Sequence, residues 1–161
     1  MAVDVFLKLG TIAGESTDDK HKGEIDVLSW SWGINQSGTM AAGGGGGAGK
    51  ASFHDLSFMH SFDKASPAIM KACATGEHIP EATLISRKAG KGQQEYLTFK
   101  FHDVLVSSFQ TGGAEGSTLV PTDQVSFNFA KLEVEYKPEK ADGSLGSVVE
   151  FRYDLKTNKT F

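Results

Sequence analysis

Apolar and polar side chains alternate along most of the chain, and this period of two predicts β-strands that bury one face. The alternation is clearest in residues 3–9, 97–102 and 149–155. After residue 9, the segments of strand-like composition are 24–33, 51–62, 81–89, 95–113, 123–138 and 147–156, each bounded by glycine, proline or polar runs. The last two ranges of clear alternation lie within 95–113 and 147–156. We therefore expect a chain built mostly of strands.

The apolar positions change parity inside segment 123–138. They are odd-numbered from 125 to 129 and even-numbered from 132 to 136. Such a shift predicts a bulge or corner near Ala130 and Lys131, where a long strand passes between two walls of a barrel or sandwich. The predicted fold class is mainly β, a two-sheet β-barrel that is closed or nearly closed, with one short flanking α-helix. A length of 161 residues predicts one domain, residues 1–161.

One helix is well signalled, over residues 67–75. Ser66 is suited to the N-cap, Pro67 to the first helical position and Gly76 to the left-handed position after the last turn. Ile69 and Cys73 share one face with Met70, which we expect to pack on the sheet. On that face Cys73 is interpreted as a small core residue and not as a nucleophile.

Segment 24–33 places two large indoles opposite small polar side chains. Leu28, Trp30 and Trp32 are predicted on one face, with Ser29 and Ser31 on the other, after Ile25 and Val27. Trp30 and Trp32 are interpreted as anchors of the core or of a subunit contact. A carbohydrate-stacking platform is the alternative.

Residues 36–50 have no period and little to bury, so they predict a long flexible glycine-rich loop. Residues 44–51 fit a phosphate-binding pattern, but Ala51 stands where a magnesium-binding Ser or Thr is needed. No buried strand precedes the pattern and no helix follows it, so a nucleotide site is not expected. Long loops in compact domains are usually functional or disordered.

Charge and composition exclude several classes of partner. The chain has 16 Lys and Arg against 20 Asp and Glu, a formal net charge of -4, which argues against nucleic acid or an anionic membrane as the partner. Cys73 is the single cysteine, so no internal disulfide forms. No apolar run approaches the ~18 residues of a membrane span. The N-terminus lacks secretory features, which predicts cytoplasmic synthesis without a cleavable signal peptide.

Catalytic and metal-binding patterns are weak. The five histidines lie in separate segments, without the spacing that presets metal ligands. No G-x-S-x-G elbow occurs. Each His-Asp pair, in "SFHD" and "KFHD", consists of strand neighbours that point to opposite faces. We therefore expect no enzyme activity, cofactor or metal.

Whole segments of the chain, in order, resemble the Hcp family, the haemolysin-coregulated proteins of the bacterial type VI secretion system. They are "MAVDVFLKLG", "GES", "EIDVLSWSWG", "GGGGGAGKASFHDLSF", "KAC", "ISRKAG", "EYLTFKFHDVLVSSFQTGG" and "VSFNFAKLEVEYKPEKADGS". The resemblance covers about residues 1–144. It implies a two-sheet barrel with one helix that assembles into a homohexameric ring.

The resemblance also implies partners. Stacked rings would form an inner tube, driven out by contractile sheath proteins and tipped by a spike protein. The tube would leave the cell without a signal peptide and carry or chaperone small effector proteins in its lumen. A secreted β-barrel effector or adhesin that acts directly on a target cell is the alternative.

The resemblance suggests roles for two sets of residues. The glycine-rich loop would provide ring-to-ring contact, and the alternative is that it is a passive linker. Ser29 and Ser31 are candidates for lining the lumen and contacting effectors. The alternative for them is an ordinary solvent-exposed strand face. The loop residues meant are Gly43, Gly44, Gly45, Gly46, Gly47, Gly49 and Lys50.

Overall fold

The computed structural model describes residues 2–38, 50–89 and 92–161. The described elements, in chain order, are β1 (Val3–Leu9), β2 (Ile25–Asp26), β3 (Ser29–Ser31), β4 (Ile34–Gln36), β5 (Ala51–Phe53), β6 (Leu56–Ser61), α1 (Ala65–Thr75), β7 (His78–Lys88), β8 (Glu95–Gly112), β9 (Thr122–Asn128), β10 (Lys131–Tyr136), β11 (Val149–Asp154) and β12 (Lys159–Thr160). The mainly β class with one helix is therefore confirmed.

Strand β8 connects the two layers of the fold because each of its halves belongs to a different layer. Its first half, residues 95–105, pairs with β7 on one side and β10 on the other. Its second half, residues 106–112, pairs with β9. We call β2, β1, β7, the first half of β8, β10, β11 and β12 the long sheet. We call β3, β6, β9 and the second half of β8 the serine sheet.

The predicted corner near Ala130 and Lys131 is confirmed. Strand β9 ends at Asn128 and β10 begins at Lys131, so the chain leaves the serine sheet and enters the long sheet between them. The Ala130 N–H donates to the carbonyl of His102, at 2.9 Å. Directly after His102, Asp103 has a left-handed φ of 54°. Both strands therefore change direction at the same place.

The sequence predicts a barrel that is closed or nearly closed, and of these two forms the closed one is wrong. The hydrogen-bonded order of the long sheet runs from β12 to β2 and does not return to its start. The N–H of Val27 donates to Val5, whereas the N–H of Leu28 donates to Met59, at 2.9 and 2.8 Å. The chain thus changes partner from β1 to β6 between consecutive residues, and β2 and β3 are separate short strands that do not pair with each other.

The same change of partner corrects the predicted faces of segment 24–33. Ile25 and Val27 are buried, but Leu28 is 63% exposed, and the buried side then continues with Trp30. Leu28 therefore does not share a face with the indoles, and Ser29 and Ser31 do not continue the face of Ile25. The alternation restarts at Leu28 because the backbone turns from one sheet to the other.

The helix begins earlier than predicted, at Ala65, and Ser66 is not its N-cap. The carboxylate of Asp63 accepts the Ala65 N–H at 2.8 Å, and the Ser66 hydroxyl accepts the Asp63 N–H at 3.1 Å. The same hydroxyl donates to the buried Asp123 on β9, at 2.5 Å. The Ser66 hydroxyl thus binds the N–H three residues before it, as the third helical residue does in a capping box, while Asp63 binds the N–H of Ala65. The predicted helix end is confirmed, since Gly76 has a φ of 68°.

Aromatic side chains fill the space between the two sheets. Phe101 on β8 lies 5.0 Å from Phe127 and 4.8 Å from Phe129, measured between ring centroids. The helix closes the core with Ile69 and Ala72, both buried, while Cys73 is half-buried against it. Burial of this apolar surface, rather than any cross-link, stabilises the described part of the chain.

A buried arginine ties the loop between β1 and β2 to the long sheet. Arg87 on β7 is 3% exposed and donates to both carboxylate oxygens of Asp18, at 2.9 and 2.5 Å. Its guanidinium lies 4.8 Å from the ring centroid of Phe6, on which His21 stacks. The hydrogen bonds from Arg87 lower the pKa of Asp18 to about 2.

This ion pair predicts a loss of stability in acid. Because the pKa of Asp18 in the folded protein lies below its usual 3.8, the pair stabilises the fold above about pH 4 and that contribution disappears as the pH falls towards 2. Urea denaturation of the protein and of Asp18→Asn between pH 2 and 6 checks this. The difference in unfolding free energy should be largest near pH 6 and shrink towards pH 2. A difference independent of pH would contradict the assignment.

Candidate functional site

The outward face of the serine sheet is built from uncharged side chains, most of them small. Strand pairing places Ser31 beside Ser57, Ser57 beside Ser126 and Ser126 beside Ser108. The Ser57 and Ser126 hydroxyls are hydrogen-bonded at 2.9 Å. The other members of this face come from the same strands at alternate positions: Ser29, Met59, Ser61, Gln110, Gly112, Thr122 and Gln124.

The opposite face of the same strands holds these residues in place. Phe58, Val125 and Phe127 lie between the outward positions and are buried in the core, while Ser29 and Ser31 are exposed. No residue of the outward face is titratable, so this surface stays uncharged as the pH changes. The face is therefore neutral and offers hydroxyl and amide groups for hydrogen bonds to a partner.

The serine sheet has a free edge on each side within the described residues. Strand β3 pairs only with β6. The second half of β8 pairs with β9 on one side, and on its other side β7 reaches only as far as the pair His78 and Leu105. Free edges present unpaired backbone donors and acceptors to other chains.

Trp30 and Trp32 lie behind β3, against the core. The indole of Trp30 meets Phe99 edge-on at 5.1 Å, and Trp32 lies 6.0 Å from Phe99 and 6.1 Å from Phe53. Both side chains are half-buried. Their contacts connect β3 to the first half of β8, and so connect the two sheets.

The glycine-rich loop falls mostly outside the described residues. Gly43, Gly44, Gly45, Gly46, Gly47 and Gly49 lie there, and only Lys50 is described, as an exposed residue before β5. On either side of the loop β4 and β5 form a hairpin, with Gln36 paired to Ala51. The hairpin rests on β11 through the rings of Phe53 and Tyr153, 4.7 Å apart. The role of the loop stays a prediction.

Three of the five histidines, His21, His60 and His102, lie within 4 Å of a carboxylate. His21 lies between Glu24 and Glu95, at 3.1 and 2.7 Å. His60 lies 3.0 Å from Asp123, with both side chains buried. Among the described residues, no group of three or more His, Cys, Asp and Glu is arranged to hold a metal ion. Helix α1, the one described helix, is too short and too polar to span a bilayer.

Comparison with known proteins agrees with the segments noted in the sequence. The family model for the type VI secretion system effector Hcp matches residues 6–136. This chain belongs to the Hcp family. Protein hcp1 of Pseudomonas aeruginosa is 50% identical to it over 160 residues, which is 98% of each chain.

Two solved structures share the fold over nearly the whole chain. Hcp1 from Salmonella typhimurium is 38% identical, with a TM-score of 0.82 and full coverage of both chains. The structure of a type six secretion system protein has a TM-score of 0.94 at 33% identity, covering 99% of this chain and all of that one. The Hcp resemblance proposed from the sequence is therefore confirmed.

Sequence reasoning found only part of the serine face. Ser29 and Ser31 lie on it, but Ser57, Ser108 and Ser126 were not singled out. Their signal was present, since small polar residues occupy alternate positions in β6, β9 and the second half of β8. The sequence pattern does not show which strands are neighbours, so these serines could not be assigned to one face before the strand pairing was known.

Proposed function

We propose that this Hcp chain is the structural tube subunit of a type VI secretion system. In this proposal six copies form a ring, rings stack into the secreted inner tube, and the serine face lines a lumen that carries or chaperones small effector proteins. The observation that carries the proposal is the serine sheet, an uncharged face between two free edges. Spike and sheath proteins are the further partners, and the tube leaves the cell without a cleavable signal peptide. The role requires no catalysis.

The two free edges are compatible with a closed ring. The serine sheet has four strands, each antiparallel to its neighbour, so β3 and the second half of β8 run in opposite directions. When copies related by rotation are placed side by side, β3 of one therefore meets β8 of the next in antiparallel orientation. Pairing these edges would satisfy the free backbone groups and extend one continuous sheet.

The dimensions also fit a carrier. Six copies with four strands each, spaced by ~4.8 Å, give a circumference of roughly 115 Å and a diameter of roughly 37 Å between backbones. With room left for the lining side chains, such a hole would admit a folded domain of roughly 50 residues, whose radius of gyration of about 10 Å corresponds to a diameter of about 25 Å. The neutral serine face would line it without attracting or repelling cargo by charge.

Negative-stain electron microscopy of the purified protein tests the ring directly. We expect annular particles with a hole of the estimated size and, at higher concentration, short stacks. Compact particles without a hole would contradict the proposal.

The lumen assignment predicts that Ser31→Arg loses cargo. A charged side chain on the neutral face must be desolvated when cargo covers it, and each 1.4 kcal/mol of penalty lowers affinity about tenfold. We expect effector recovery with tagged rings, purified from secreting cells, to fall by about tenfold with ring mass unchanged. Ser117→Arg, an exposed serine outside the serine sheet, is the matched control. Equal recovery from both variants would exclude Ser31 from the lumen.

A further inference from the structure

One face of the β10 and β11 pair packs on the core at one end and is exposed and apolar at the other end. Leu132 is buried, Val134 is half-buried, and Tyr136 at the end of β10 is 45% exposed. On β11, Phe151 is 37% and Val149 is 63% exposed. Tyr136 and Val149 are directly paired, and Phe151 lies two residues further on the same face. We call Tyr136, Val149 and Phe151 the end patch.

A second apolar surface is a groove beside α1. It has a volume of about 390 Å³ and lies between the helix, the chain that follows β1 and the start of β7. Its floor contains Leu9, Ala72 and Ile79, all buried, and Ile12 and Ala68 also line it. Lys71, Glu77 and Glu81 are among its remaining lining residues. We call this the helix groove.

The end patch and the helix groove lie at opposite ends of the same strands. Leu9, at the groove, is in register with Ala82 on β7, and through it with Phe101 and Leu132. At the other end of these strands Ser86 is in register with Leu97, and Leu97 with Tyr136 of the end patch. One copy therefore presents different apolar surfaces at its two ends.

Each surface also accompanies one free edge of the serine sheet. The free part of β8 begins next to the pair His78 and Leu105, and His78 lines the helix groove. Strand β3 is followed by the hairpin of β4 and β5, in which Phe53 contacts Tyr153 on β11. The Tyr153 ring stacks on Phe151 of the end patch, with 6.1 Å between ring centroids. An edge-to-edge contact between copies would thus bring an end patch towards a helix groove.

We propose that the end patch of one copy packs into the helix groove of the next copy around the ring. This inference rests on the proposed function. The occupant is a second copy because the two surfaces are both apolar, differ from each other and lie at opposite ends, which is what a head-to-tail contact requires. None of the end-patch residues is charged, so packing them adds no like-charge contact between copies that each carry -4. Contact outside the lumen would also support the short β3 edge, which has only three residues.

A charge placed in the end patch tests the proposal. Val149→Asp should convert a ring into monomers at a protein concentration where the unaltered chain is fully assembled, as measured by light scattering after size exclusion. Val148→Asp is the matched control, because Val148 is also exposed but precedes β11 and is outside the patch. Both variants should keep the circular dichroism spectrum of the parent, since the replaced side chains are exposed. Rings formed equally by both variants would overturn the proposal.

Cross-linking identifies the partner surface. In a Cys73→Ser background, the double variant Val149→Cys with Ala68→Cys should form disulfides between copies when oxidised by air, seen as a ladder of linked species up to the hexamer on a non-reducing gel. Each single-cysteine variant should stay monomeric on that gel. Intact rings that give no ladder, or a dimer from Val149→Cys alone, would overturn the head-to-tail contact.

The two proposals fail in different ways. If the unaltered chain is a monomer, the proposed function falls, and this inference with it. If the unaltered chain forms rings but Val149→Asp also does, only the end-patch contact is wrong.

Discussion

Replacing Phe101 with alanine should lower the free energy of unfolding by about 3–5 kcal/mol, the range typical of large aromatic deletions in cores. Phe101 is fully buried and lies just before the point where β8 passes from the long sheet to the serine sheet. Its ring contacts Phe99, Phe127 and Phe129, which come from both sheets. Because these rings are held by three different strands or corners, the space cannot collapse easily. Urea denaturation at neutral pH measures the loss.

Phe161→Ala is the matched control for this substitution. Phe161 is half exposed and contacts Lys131 and Arg152 on the surface. Its replacement should change the unfolding free energy by no more than about 0.5 kcal/mol, as surface substitutions usually do. Similar losses for the two variants would mean that Phe101 does not join the sheets as described.

Trp30→Ala should lower the free energy of unfolding by about 3 kcal/mol, at the lower end of the same range because the indole is half-buried. The indole holds β3 against Phe99 of the long sheet. Its loss should therefore loosen the short edge strand as well as the core. Hydrogen exchange, read beside urea denaturation, should show faster exchange at the β3 amides that pair with β6.

Ser29→Ala provides the comparison for Trp30→Ala. Ser29 is adjacent to Trp30 but points to the exposed face of the same strand, so its change should cost less than about 0.5 kcal/mol. If Trp30→Ala costs no more than Ser29→Ala, the indole is not an anchor of the core.

The strands could be predicted because their signal is local. Alternation in residues 3–9 and 149–155 predicts a strand wherever the partner strands lie, although the apolar face of β11 is only partly covered. The parity change at Ala130 marked a real corner, since a strand that moves to another layer must turn its other face inward. Gly76 ended the helix as expected because a left-handed residue is tolerated best as glycine.

The errors occurred where distant residues decide the local structure. Ser66 has the composition of an N-cap, but its hydroxyl donates to Asp123, 57 residues away, and Asp63 caps the first turn in its place. Leu28 continued an apolar alternation, yet the change of partner from β1 to β6 turned it outward. Closure of the barrel likewise depended on whether β2 and β3 pair laterally, which no local pattern reports.

The candidate site was only partly predictable for the same reason. Ser29 and Ser31 could be recognised because they face two indoles across one strand. Their neighbours Ser57, Ser126 and Ser108 join them only through the register of three pairings. The free edges depend on which strands remain unpaired. The end patch can be recognised only when the exposure of its apolar side chains is known.

The molar mass of the purified chain tests the central claim most directly. We expect a particle of six chains, close to 103 kDa from a chain mass of 17.2 kDa, when light scattering follows size exclusion in physiological salt. The molar mass of the particle should not fall on dilution to concentrations at which weak, non-specific association is lost. A single species of one chain mass, with a folded circular dichroism spectrum, would contradict it.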